Sequence, residues 1–96
     1  MLEIFARAEW YLARAEPERE WRGILHPRPV VIGPATRTAL PHTLETDGGA
    51  FAVYTATAAD QLTPYVGLPI TARGKLVHLR EEGLEPELWL ASIERA

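Results

Sequence analysis

The chain has 96 residues, 47% of them hydrophobic and 24% charged, with no cysteine and a formal net charge of -3. That composition excludes a disordered segment, a disulfide scaffold and a thiolate metal site, and a chain this short buries only about 60–65% of its unfolded surface, enough for one core and not two. The charge excess lies near the end, where Glu81, Glu82, Glu85, Glu87 and Glu94 face only Arg80 and Arg95; the near-neutral remainder argues against tight non-specific binding to nucleic acid.

No stretch approaches the roughly 20 apolar residues of a membrane span, and Glu3 and Arg7 interrupt the apolar run a signal peptide needs. The expectation is a single cytoplasmic domain over residues 1–96. Lys75 is the sole lysine, Gln61 the sole glutamine, and asparagine is absent. Such depletion of thermolabile residues hints at a thermophilic source, although a GC-rich genome also favours arginine over lysine.

Residues 5–15 suit a helix by their Ala, Arg and Glu content, while Ala6, Ala8, Trp10 and Leu12 alternate with Arg7, Glu9 and Tyr11 as a strand would; the alternation favours strand. Glu16-Pro17-Glu18-Arg19-Glu20 reads as a solvated turn. Trp21, Gly23 and Leu25 then resume a strand, either the second arm of a hairpin or a continuation past a bulge near Pro17. Trp10, Trp21 and Trp89 are the large side chains expected to supply much of the core.

His26-Pro27-Arg28-Pro29 closes that strand, since prolines cannot donate ladder bonds. Val30, Val31 and Ile32 form a short apolar run before a Gly33-Pro34 turn. Residues 38–46 predict a strand with Leu40, His42 and Leu44 on one face, kept near an edge or bulge by Pro41. Asp47-Gly48-Gly49 is the clearest hairpin signal, and the return strand over residues 50–55 turns Phe51 and Val53 to the core.

Thr57-Ala58-Ala59-Asp60 resembles a capping box opening a short helix, which Pro64 and Gly67 limit. Ile70, Ala72 and Gly74 then alternate with Thr71, Arg73 and Lys75, after which Val77 and Leu79 carry the apolar phase one residue out of step. A bulge at Gly74 accounts for the shift. Residues 81–86 read as a polar loop, and residues 88–93 as the last strand, with Trp89, Ala91 and Ile93 on one face.

Leu62, Tyr65, Val66 and Gly67 followed by Ile70, Ala72, Gly74 and Val77 form a pattern similar to the helix-to-fourth-strand passage of small OB-fold domains, and the element order agrees. The predicted fold is therefore mostly β, a five- to six-stranded antiparallel Greek-key barrel with one short helix between the third and fourth strands; an SH3-like barrel shares these features. The resemblance implies a binding surface on the exposed face of strands two and three, with Arg37, Thr43 and Tyr54 on it and Arg28 and Glu85 in the bordering loops. One aromatic there, Tyr54, is fewer than single-strand binders commonly offer.

The candidate binding residues are thus Arg28, Arg37, Tyr54, Arg73 and Lys75, a set of cations around one stacking ring. His26, His42 and His78 match no metal-ligand spacing, and Gly33-Pro34 and Gly48-Gly49 lack the context of a phosphate loop. Asp47 and Asp60 are explained by the hairpin and the cap, Ser92 has no nucleophile elbow, and Thr55 has no base placed beside it by spacing. No catalytic residue, metal or cofactor is implied. The expected function is a non-catalytic module that contacts a protein partner or self-associates, with OB-type binding of single-stranded nucleic acid as the alternative and a small metal-dependent enzyme as a further one.

Overall fold

Alternating patterns at four places and a continuous apolar run at the end produce the strands seen in a computed structural model, which describes residues 1–27, 41–78 and 86–96. The expectations for Arg28, residues 30–34, Arg37, Leu40, Leu79 and Glu85 lie outside the described residues. The strands are β1 (Leu2–Glu3), β2 (Arg19–Pro27), β3 (His42–Thr46), β4 (Gly49–Tyr54), β5 (Pro69–Val77) and β6 (Glu87–Arg95). A one-turn helix, α1 (Glu9–Leu12), precedes β2, and a 3₁₀ helix (Ala56–Tyr65) joins β4 to β5.

The six strands form one sheet in the order β1-β6-β4-β3-β2-β5, and β5 pairs with β6 as well, giving a ring-like arrangement. All pairings are antiparallel except β4 with β6, which run parallel over Ala52–Tyr54 and Glu87–Trp89. The sheet is therefore mixed rather than purely antiparallel. The reason is parity: a circuit of five strands, β2-β3-β4-β6-β5, cannot alternate direction all the way round, so one neighbouring pair must be parallel. β4 covers the first part of β6's free edge; the N-terminal arm covers the rest, through Leu2↔Ile93, Glu3↔Ser92 and amide bonds from Ile4 to Ala91 and from Phe5 to Leu90.

The Asp47-Gly48-Gly49 signal gives the β3–β4 hairpin, with Thr46 opposite Gly49 across a two-residue turn. Gly49 takes φ 129°, a region side chains disfavour, and the Thr46 hydroxyl accepts from the Gly48 amide and donates to the Gly49 carbonyl. The 3₁₀ helix begins earlier than the predicted capping box, with Thr55 as N-cap and no side-chain cap bond, so Thr57 is inside the helix rather than at its start.

Leu25, Leu44, Val53, Ile70, Ala72, Leu88, Leu90 and Ile93 form the first buried cluster, joined by Leu62 from the 3₁₀ helix. A second cluster of Phe5, Tyr11, Val77, Trp89 and Ala91 packs under the N-terminal arm. β6 supplies both, which is why residues 87–93 are all buried instead of alternating. The irregularity expected at Gly74 is there, between Arg73 and Gly74, but the unopposed residue is Ala91 on β6: Arg73 pairs with Ser92 and Gly74 with Leu90. A Cβ at Gly74 would collide with the Trp89 carbonyl oxygen, so glycine permits the close approach of the two strands there. Val77 is buried because the second cluster covers it, not because β5 changes phase.

The first fifteen residues are the largest departure from expectation. They form a two-residue strand and one helical turn, and the side chain that turns inward is Tyr11 rather than Trp10 or Leu12. Of the three tryptophans only Trp89 is buried.

Candidate functional site

α1 is too short to persist on its own, since isolated helices of fewer than about 12 residues are marginal in water, and Ala8 at its N-cap offers no side-chain acceptor. What fixes it is β5. Lys75 is 6% exposed; its Nζ donates to the carbonyls of Tyr11 at 2.8 Å, Arg14 at 3.0 Å and Leu12 at 3.5 Å. The ammonium thus donates to the carbonyls at the helix end, of which that of Tyr11 also accepts from the Arg14 amide at 3.2 Å. It also lies 4.6 Å from the Tyr11 ring centroid, a cation–π contact. The Tyr11 hydroxyl donates to Glu18 Oε2 at 3.0 Å, and burial, reinforced by that acceptor, raises its pKa.

So anchored, α1 lays its flanking side chains over β6. Phe5 meets Trp10 edge-on at 4.6 Å and Tyr54 at 5.6 Å, and Trp89 meets Trp10 and Tyr54 at 5.5 Å each. Arg14 stacks over Trp89 at 5.4 Å. Within this aromatic assembly Trp10 remains 48% exposed, and Leu12 beside it is 56% exposed. Two large apolar side chains on a four-residue helix locked by a buried cation are the most distinctive surface feature among the described residues.

The predicted binding residues are distributed differently. Arg28 and Arg37 lie outside the described residues. Tyr54 is half-buried in the aromatic assembly, Arg73 is exposed on β5, and Lys75 faces the carbonyls of α1 instead of solvent. No shared exposed patch joins these three. Thr43 is half-buried on β3, across from Ala52 on β4 and His26 on β2.

The histidines are also apart. His26 Nε2 is 3.8 Å from Glu45 Oε1 on the neighbouring strand, His78 is exposed at the end of β5, and His42 is buried. Among the described residues no group of three His, Asp or Glu could hold a metal ion, and none of their helices is long and apolar enough to cross a membrane. Burial lowers the His42 pKa, with Asp60 acting in the opposite direction; its Nδ1 has no hydrogen-bond partner among the described residues.

Sequence reasoning missed α1 because alternation placed Trp10 and Leu12 on one buried face. The signal that could have exposed the error is Lys75: a lone lysine between Gly74 and the apolar pair Leu76 and Val77 needs acceptors if it is buried, and helix-end carbonyls are a ready source. No protein-family model, curated protein or solved structure matches the chain significantly.

Proposed function

We propose that this domain is a non-catalytic interaction module on an OB-like barrel, and that it meets a protein surface, a second copy of itself included, through α1. The observation that carries the reading is the pairing of exposure with rigidity. Trp10 and Leu12 are exposed on a turn whose carbonyls are held by buried Lys75. Large aromatic side chains presented without loss of conformational freedom are the usual anchors of protein contacts.

The circuit β2-β3-β4-β6-β5, with the helix between β4 and β5, supports the OB reading of the ring. Fold alone assigns no ligand. The same circuit keeps single-strand nucleic-acid binding as the second reading, which the half-burial of Tyr54 and the burial of Lys75 favour less than a protein contact through α1.

Sedimentation velocity over a range of concentrations tests self-association, and affinity capture tests a heterologous partner, each with the Trp10→Ser, Leu12→Ser double variant alongside. The expected result is an association that the double variant abolishes while its unfolding midpoint stays near that of the parent. A chain that is monomeric throughout and captures nothing, or an association indifferent to both substitutions, overturns the reading.

A further inference from the structure

A cleft of about 160 Å³ opens between the α1–β2 connection and the adjoining ends of β2 and β5, walled by Glu16, Pro17, Arg19, Trp21, Leu76 and His78. The polar groups of its half-buried walls are already engaged. Trp21 Nε1 donates to the Gly74 carbonyl at 3.1 Å. The Glu16 carboxylate accepts from Arg14 Nε at 3.0 Å and Nη2 at 2.6 Å, and from the backbone amides of Glu16 and His78, which fills its roughly four acceptor sites. With neither residue free to hydrogen-bond, the walls formed by Trp21, Leu76 and Pro17 suit an apolar group. An apolar cavity of roughly 150 Å³ holds a benzene ring, and the isobutyl group of a leucine is smaller than that ring.

The chain itself presents such a leucine. Leu12 is 56% exposed, and its backbone is fixed on both sides by Lys75 Nζ, which donates to the carbonyls of Tyr11 and Arg14. Glu9, three residues earlier, is its neighbour on the surface of α1, since side chains at that spacing stand one above the other. Trp10 is instead turned toward the rings of Phe5 and Trp89. Glu9 is exposed and, among the described residues, forms no ion pair; the same holds for Arg19 at the mouth of the cleft. One face of the protein thus carries an apolar knob beside an unpaired anion, and another an apolar cleft beside an unpaired cation.

We propose that the partner of α1 is a second copy of this chain: Leu12 of one copy enters the cleft of the other, and Glu9 pairs with Arg19 across the junction. This rests on α1 being the element that meets a protein, and it adds which protein and where. Knob and cleft are different patches, so a junction that is not reciprocated leaves a knob on one copy and a cleft on the other open to further copies. One side chain and one ion pair make a small junction, of the kind found in transient encounters.

The test is sedimentation velocity of the full chain at concentrations up to about 1 mM, with ¹⁵N spectra of the Trp21 indole over the same range. The parent chain associates, and its Trp21 indole resonance moves with concentration. Leu12→Ser weakens the association at least about tenfold. Glu9→Arg and Arg19→Glu each weaken it about tenfold at low salt, by setting like charges against each other. An equimolar mixture of these two variants recovers the association of the parent, because every junction between unlike copies again joins opposite charges. Both residues are exposed, so the charge reversals serve if Leu12→Ser does not fold. Association that is lost in the Trp10→Ser, Leu12→Ser variant but unchanged by both charge reversals overturns the proposal and leaves α1 in contact with some other surface. A mixture no stronger than its components, or a Trp21 resonance that stays in place, also overturns it. So does a chain that is monomeric throughout, and affinity capture through α1 then decides the broader reading alone.

Discussion

His42 shows what a single residue must tolerate inside this fold. It occupies the inward face at the start of β3, opposite Val53 on β4 and Pro27 on β2, and is 8% exposed. Burial lowers its pKa below the ordinary 6.5, and Asp60 on the 3₁₀ helix only partly opposes that. Because the folded pKa is the lower one, the unfolded chain takes up a proton first as pH falls. His42 therefore costs nothing above about pH 6.5 and progressively destabilises the fold from there down to its folded pKa. Glu16 titrates in a separate window: Arg14 holds its pKa below the ordinary 4.5, so its contribution is present above that value and is lost below it. Urea unfolding at about pH 7.5 and about pH 5.5 stays clear of the Glu16 window; between these two values the midpoint should fall further in the parent chain than in His42→Leu. Identical slopes would show that the imidazole does not carry the effect.

The face of His42 was legible in the sequence, because Leu44 shares it at a spacing of two and the hairpin signal fixes the register that puts Phe51 and Val53 across from it. Lys75 was not. Its residue type argued for solvent, and only the tertiary contact with α1 supplies the acceptors that make its burial tolerable.

At the scale of elements, the N-terminal arm is the part whose structure depends most on the rest of the chain. Its local composition suited helix and strand alike, so no periodicity argument could decide between them. The outcome was set by where β6 had an unpaired edge and where β5 had an unpaired ammonium. β6 teaches the same lesson. Trp89, Ala91 and Ile93 were expected to share one face, yet a continuous apolar run is what a strand with two covered faces requires, and the arm is the second cover. By contrast the hairpin at Gly49 and the close approach at Gly74 were legible, because backbone geometry at those points admits few residues.

Lys75→Met tests the coupling between these elements. It keeps the length of the side chain and removes the three donors, leaving helix-end carbonyls without their cation, at a cost of about 1–3 kcal/mol. The loss should be local. Hydrogen exchange at the Ile4 and Phe5 amides, which bond to Ala91 and Leu90, should accelerate far more than at the β3–β4 hairpin. Uniform acceleration across both regions would mean that the arm is part of the global unfolding unit.

At the scale of the whole molecule, a five-strand circuit with one obligatory parallel pair leaves one strand edge only half covered, and the N-terminal arm completes it. Element order made the ring predictable from sequence. The odd number of strands in the circuit, and so its mixed character, follows from counting only the strands that close it, which the uncertain first segment obscured. Completing the edge places α1 outside the ring with Trp10 and Leu12 toward solvent, the arrangement on which the proposed interaction depends. A photo-cross-linking amino acid at position 10, compared with the same label at Asp47 in the β3–β4 turn, tests that dependence directly. The account predicts a light-dependent adduct of one discrete mass from position 10, whether with a second copy or another protein, and none from position 47. No adduct at position 10, or equal adducts from both positions, would contradict it.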